Sequence, residues 1–265
     1  MSGRELGRRP HLLVLVAAVT TLLLVLPPLG LLLDTSWGRL PDQASDPDTL
    51  RALWLSALTS VLATAIAGVL GVALAWLLAR VAFPGRAVVR AFVLLPLVLP
   101  PVVAGVALLS VFGRSGLIGG PLYELAGVTL PFTTPGVVVA HVFIALPFVV
   151  LGVEGAFRGL DPGYERAAAT LGASRWTALR RVVLPLVAPG IAAGLALGWA
   201  RSLGEFGATI TFAGNYPGTT RTMPVLVYTV LQDDPAAARG LSVLMMGAAL
   251  IVLVLLRGRW IGGLR

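Results

Sequence analysis

The sequence predicts an all-α integral membrane protein with six transmembrane helices, and three observations predict it. Apolar residues make up 57% of the chain and charged ones 12%, with a mean hydropathy of +0.91; a soluble domain is about half apolar and about a quarter charged. Six segments reach the roughly 20 apolar residues that a helix needs to cross a hydrocarbon core of about 30 Å. Basic residues, finally, alternate from loop to loop between those segments, as they do in multi-span proteins.

The segments run over residues 11–33, 51–79, 87–112, 135–157, 183–213 and 237–257. The first follows Arg4, Arg8 and Arg9. Its apolar stretch exceeds the roughly 7 to 15 residues of a signal peptide, and Pro27-Pro28 stands in place of a small-residue cleavage site, so an uncleaved helix is predicted. Arg8-Arg9 also matches a twin-arginine signal, although paired basic residues before a first span ordinarily fix topology. Gly68 and Gly71 in the second segment, with Gly190 and Gly194 in the fifth, allow helices to approach closely. In the third, Leu95-Pro96-Leu97-Val98-Leu99-Pro100-Pro101 must bend the helix, because proline removes a backbone donor. A bilayer tolerates that where neighbours or a wet cavity satisfy the freed carbonyls, so Pro100 and Pro101 either line a pathway or make a packing kink. His141 and Glu154 lie in the fourth, where Arg158 is placed to pair with Glu154 four residues away. A lone His141 reads as hydrogen-bonded packing more readily than as a proton relay.

Charge placement orients the bundle. Fourteen arginines fall on one side: Arg4, Arg8, Arg9, Arg80, Arg86, Arg90, Arg158, Arg166, Arg175, Arg180, Arg181, Arg257, Arg259 and Arg265. The other side holds Arg39, Arg51, Arg114, Arg221 and Arg239, with Asp34, Asp42, Asp46 and Asp48. Both termini are therefore expected in the cytoplasm, in a multi-pass protein of the cytoplasmic (inner) membrane. Spread between apolar runs, the net charge of +8 forms no single patch, and no nucleic-acid partner is expected. The chain has no Cys, which excludes disulfides, thiolate metal sites and cysteine nucleophiles. All 20 basic residues are Arg, so a phosphate-cradling G-x-x-x-x-G-K-[ST] loop is impossible without its lysine. No metal or cofactor site is expected, nor an enzyme active site.

One domain over residues 1–265 is expected, with a distinctive loop at 158–182. Asp161 can cap a helix opening at Pro162, and Glu165 favours the positive end of its dipole. Gly172 can close that helix in the left-handed conformation, and Ser174 can cap a second one leading into the fifth span. The spacing predicts a helix of about ten residues with an alanine face at the cytoplasmic edge, either a docking knob or a solvated connector.

That loop resembles the EAA loop of ABC importer permeases, whose pattern is Glu-Ala-Ala, three residues, Gly, nine residues, Ile, one residue, Leu-Pro. Ala167, Ala168, Gly172, Val182, Leu184 and Pro185 match it in spacing. Arg166 occupies the position of the family Glu, with Glu165 one residue earlier, and Val182 stands for Ile. The resemblance implies a type I importer fold and an ATPase-coupling role for Glu165, Arg166, Ala167, Ala168, Gly172, Leu184 and Pro185.

The fifth span carries Gly198-Trp199-Ala200-Arg201-Ser202-Leu203-Gly204-Glu205-Phe206-Gly207-Ala208-Thr209. An ionisable residue at mid-membrane costs about 2.5 to 3.5 kcal/mol on insertion scales, so Arg201 and Glu205 should face a partner or a wet cavity. Four residues apart, they can pair with each other; alternatively Arg201 lends positive potential to an anion route while Glu205 orients it. Seventeen residues beyond Leu184, at about 1.5 Å each, Arg201 lies some 25 Å from the cytoplasmic edge. This stretch, with Phe212 to Pro224 and Leu95 to Gly105, is similar to the molybdate and sulfate subfamily of importer permeases. A pathway or gate built from Pro100, Pro101, Arg201, Gly204, Glu205, Gly207, Thr209, Asn215 and Thr220 is expected. Thr209, Thr211, Asn215, Thr219, Thr220 and Thr222 supply neutral donors suited to a tetrahedral dianion, or else form an ordinary outer loop. The resemblance further implies a second copy of the chain, two cytoplasmic ATPase subunits that bind ATP and Mg, an extracytoplasmic oxyanion-binding protein, and molybdate as cargo, with sulfate, thiosulfate or tungstate as alternatives. An ion-coupled carrier is the competing class, but it would need matched halves, and Glu205 has no counterpart in a second half.

Overall fold

The computed structural model describes residues 11–261 and, among them, the side chains of all but 253 and 255–261. Arg4, Arg8, Arg9 and Arg265 lie outside the described residues, as do the side chains of Arg257 and Arg259, so their part in the charge alternation is not addressed by it. Every described element is helical: α1 His11–Leu33, α2 Leu40–Ser45, α3 Pro47–Arg80, α4 Arg86–Val98, α5 Pro101–Phe112, α6 Gly119–Ala126, α7 Thr134–Gly159, α8 Gly163–Thr170, α9 Arg175–Ala178, α10 Leu184–Leu203, α11 Gly207–Phe212, α12 Met223–Asp233 and α13 Pro235–Ile261. A π-helical stretch, Leu179–Val183, joins α9 to α10 without a break.

Local sequence sets the boundaries. Asp46 accepts a hydrogen bond from the Thr49 amide at 2.9 Å, with Pro47 in the first turn of α3. Thr133 accepts from the Gly136 amide at 3.1 Å ahead of α7. Both are side-chain caps that satisfy an amide the helix leaves orphaned.

Five described helices are long and apolar enough to cross a membrane: His11–Leu33, Pro47–Arg80, Thr134–Gly159, Arg175–Leu203 and Pro235–Val252. The expected third span, residues 87–112, is instead two helices of 13 and 12 residues. Leu99 and Pro100 between them are extended, at ψ 131 and 138. The cause is Pro100-Pro101: the residue before a proline is pushed out of the helical region, and two in succession end α4 and restart the chain as α5. The expected fifth span breaks as well, at Gly204-Glu205-Phe206, leaving the short α11.

The core is organised on α7. Ala67, Ala75 and Leu78 of α3, Ala145, Val149, Val150, Val153 and Phe157 of α7, and Val183 and Val187 at the start of α10 form one buried cluster. Ala104 and Leu108 of α5 meet Ala140 and Ile144 of α7 and Ala208 and Phe212 of α11 in a second. Glycine permits the first of these to be tight: a Cβ on Gly194 would lie 3.2 Å from the Val149 carbonyl oxygen, and one on Gly71 2.9 Å from Val149. At such distances only a missing side chain lets helices touch, and packing between lipid-embedded helices depends on that contact. No residue of α1 is buried, so that helix presents apolar side chains outward on all sides, as lipid requires.

Charged groups collect at two ends. Arg239 pairs with Asp34 at 3.3 Å and Arg39 with Asp234 at 3.8 Å at one end. Arg80, Arg90 and Arg158 pair with Glu165 and Glu154 at the other.

Candidate functional site

Two neighbourhoods hold the residues singled out from the sequence. The first is α8 with its flanking turns. Asp161 accepts from the Gly163 amide at 2.7 Å, which starts the helix one residue later than Pro162. Gly172 closes it at φ +81, with its amide donating to Ala169 at 3.0 Å and the Ala173 amide donating to Ala168 at 3.0 Å. This is the left-handed cap that glycine adopts without steric cost. Ser174 accepts from the Thr177 amide at 3.2 Å and opens α9. The helix has eight residues rather than ten because Asp161 and Gly172 cut it at both ends.

On α8 the alanines divide. Ala168 is buried against the bundle while Ala167 faces out. Tyr164 on α8, Leu171 just past its end at 88% exposure, and Trp176 in α9 are exposed large apolar residues of the same loop. The sequence reading gave these three no role; large apolar side chains spaced among the caps of a loop were the available signal. Glu165 turns inward and pairs with Arg80 of α3 at 3.1 Å. Arg166 points into solvent, 3.9 Å from Asp161, a separation at which an exposed pair contributes little. Leu184 and Pro185 begin α10, where a proline in the first turn forfeits no hydrogen bond. Between α8, α9 and the lower half of α3 lies a cavity of about 1280 Å3, walled by Val69, Val72, Ala73 and Trp76 and rimmed by Arg80, Arg166 and Arg175.

The second neighbourhood is where the two broken spans cross. Pro101, at the restart of α5, packs on Gly207, at the start of α11; a Cβ there would overlap the proline ring. One turn further, a Cβ on Gly105 would lie 2.6 Å from Thr211. Arg201 sits in the last turn of α10, and its guanidinium pairs with Glu205 at 2.7 Å. The other Glu205 oxygen accepts from the Ala208 amide at 2.8 Å, so one carboxylate both neutralises Arg201 and satisfies the first turn of α11. Glu205 is 1% exposed and Arg201 about one-third. The internal pair anticipated from i,i+4 spacing therefore forms, but across a helix break.

Around that pair, His141, Ser202 and Thr209 are fully buried, and their polar side-chain atoms have no hydrogen-bond partner among the described residues. The antiparallel register of α7 and α10, set by Gly190 against Ala156, Gly194 against Gly152 and Gly198 against Ala145, carries His141 to the level of Ser202 to Glu205. Asn215 and Thr220 lie apart, in the following loop, where their groups are engaged. Asn215 accepts from Arg221 at 2.6 Å and donates to Thr229 at 3.0 Å, and Thr220 accepts from the Tyr216 amide at 2.9 Å. Glu154, matched from sequence with Arg158 alone, is shared: Arg158 approaches to 2.8 Å and Arg90 of α4 to 2.5 Å. Arg90 and Arg80 had entered only the topology argument, since neither partner is near in sequence.

Residues 67–262 match the family model described as "Binding-protein-dependent transport system inner membrane component". The molybdenum transport system permease protein ModB of Mycobacterium tuberculosis is 44% identical over 247 residues, 92% of each chain. Its namesake in Escherichia coli K12 is 43% identical over 217 residues, 82% of this chain and 94% of that one. The sulfate transport system permease protein CysT of Escherichia coli K12 is 37% identical over 236 residues, 88% of this chain and 85% of that one. Among solved structures, a bacterial ABC transporter involved in import of the acidic polysaccharide alginate superimposes with a TM-score of 0.75 at 18% identity, covering 96% of this chain and 94% of that one.

Proposed function

This chain belongs to the binding-protein-dependent transport system inner membrane component family, and from that premise we propose that it is the membrane-spanning permease subunit of an ATP-driven importer whose cargo is molybdate. It is a translocation subunit rather than an enzyme: the family consists of permeases, and ATP and Mg belong to separate ATPase subunits. The observation that carries the reading is α8, a short capped helix that exposes Tyr164 and Ala167, with Leu171 exposed just past its end and Trp176 exposed in α9. An exposed apolar patch is costly in water and marks a protein contact. The ATPase docks there, on the cytoplasmic side, and an extracytoplasmic binding protein delivers the anion to the opposite face of a dimer of this chain.

Force enters at α8 and reaches α10 through α9 and the π-helical stretch, with no non-helical residue between α9 and Leu203. A rigid element of that length moves as a body, and a two-state bundle converts such a displacement into opening of one side and closing of the other. The far end of α10 stops at the Arg201–Glu205 pair, where α11 leans on α5. Shifting α10 therefore alters the crossing of Pro101 with Gly207, which is the gate in this reading. Arg201 supplies the positive potential that admits a dianion. Glu205 limits its depth, so that the anion is attracted without being trapped. Ser202, Thr209 and His141 are polar groups at the same level that a passing oxyanion would satisfy, whereas leaving each buried without a partner costs about 1 to 3 kcal/mol.

Reconstitution of the permease with its ATPase and binding protein in liposomes tests the assignment, reading ATP-dependent uptake of radioactive molybdate. Uptake is expected, with weak competition from sulfate. The 37% identity to a sulfate permease favours a second reading, an importer of sulfate; stronger uptake of sulfate than of molybdate would establish it.

A further inference from the structure

Arg80 carries an arrangement that a coupling helix alone does not require. It is the last residue of α3, its side chain is 15% exposed, and it reaches two segments at once. Its Nε lies 3.1 Å from Glu165 of α8, and its terminal nitrogen donates to the Leu160 carbonyl at 3.1 Å, at the end of α7. The cavity lined by Val72, Ala73 and Trp76 on one wall and by Ala169 and Trp176 on the other separates the two helices above this point. Where apolar packing is absent, an ion pair is what holds α8 to α3. Neighbouring arginines are engaged differently: Arg86 donates back to Leu78 of α3, and Arg90 pairs with Glu154.

We propose that Arg80 is a positioning residue that straps α8 to α3 through Glu165, so that displacement of α8 moves α3 together with α10. Without the strap, α8 reaches α3 only indirectly, through the apolar cluster that α3 shares with α7 and the start of α10, and α3 follows less completely. The two helices line opposite walls of the same cavity, so a lagging α3 closes the cavity only partly. Energy from nucleotide binding is then spent without a completed cycle, and the loss appears as uptake per ATP consumed rather than as ATP hydrolysis. Arginine suits the task because one planar cation lies against the Glu165 carboxylate as an ion pair while donating a hydrogen bond to the Leu160 carbonyl, where lysine is a single point charge. The inference rests on reading α8 as the ATPase-coupling helix.

The absence of cysteine allows two labels to be introduced without altering any native residue of that type. Spin labels at Thr170→Cys and Val69→Cys, both exposed, report the α8-to-α3 distance in the complete transporter, with and without trapped nucleotide. With Arg80 present, the distribution is expected to be narrow with the same mean in both states. With Arg80→Gln it broadens, its mean shifts on nucleotide binding, and uptake per ATP falls by about fivefold, the low end of an ordinary coupling energy. Arg80→Lys keeps the charge and retains at least half the ratio. The double variant Arg80→Gln/Glu165→Gln is no worse than Arg80→Gln, because the second change removes a partner already lost. A wild-type distance and ratio in Arg80→Gln overturns the proposal, as do additive losses in the double variant. Failure of the coupling-helix reading itself looks different: a photo-crosslinker at Leu171 captures no ATPase while the distance still broadens in Arg80→Gln, which overturns that reading and leaves the Arg80–Glu165 strap standing.

Discussion

Glu205 shows how much one side chain is asked to do where a helix breaks inside a membrane. Gly204 and Phe206 leave the ladder between α10 and α11 interrupted, and the orphaned Ala208 amide has no water to turn to. Glu205 supplies an acceptor at 2.8 Å and in turn pairs with Arg201 at 2.7 Å. Replacement by Gln keeps an amide oxygen for Ala208 but removes the charge opposite Arg201. Replacement by Ala removes both. Thermal unfolding of the purified chain is therefore expected to rank Glu205→Ala below Glu205→Gln by about 1 to 3 kcal/mol, the cost of a buried donor left without an acceptor. Equal stability of the two would show that the Ala208 bond contributes nothing.

Among the elements, α8 is the one whose boundaries matter most, and Gly172 fixes the second of them. Its φ of +81 is open to glycine and unfavourable for other L-residues, while nothing lies within 4 Å of where a Cβ would stand. Gly172→Ala thus costs about 1 to 2 kcal/mol through the backbone alone, with no clash to add. Gly172→Pro is a different change, since proline is confined to φ near −65° and cannot make the turn. Co-purification of the ATPase is expected to survive Gly172→Ala and to be lost in Gly172→Pro, with membrane insertion intact in both. Unchanged ATP-driven uptake by the proline variant would remove the docking role. The crossing of α5 and α11 follows the same logic of fit: Gly207 and Gly105 are small because Pro101 and Thr211 occupy the space a side chain would need.

At the scale of the molecule, ion pairs other than Arg201–Glu205 gather at two ends, with Asp34, Arg39, Asp234 and Arg239 at one and Arg80, Glu154, Arg158 and Glu165 at the other. The excess of arginine at the second end predicts that it faces the cytoplasm. An impermeant maleimide is expected to label Leu171→Cys only in inverted vesicles and Tyr216→Cys only in right-side-out ones, both positions being exposed. The opposite pattern would invert the topology and remove α8 from the ATPase.

Periodicity, charge alternation and turn chemistry are local properties, and so the order of residues alone determined a multi-span helical bundle, the caps at Asp161, Gly172 and Ser174, and the i,i+4 pairing of Arg201 with Glu205. The Pro100-Pro101 dipeptide also announced a bend. It did not announce that the third segment would part into α4 and α5, nor that the fifth would break at the same crossing, because whether a helix bends or breaks depends on what packs in the gap. Partners distant in sequence were decided only by the tertiary structure. Arg80 finds Glu165 across 85 positions and Arg90 finds Glu154 across 64, and the level of His141 follows from a glycine register between α7 and α10. An ion pair depends on distance in space, and no pattern along one chain records which loops the bundle brings together.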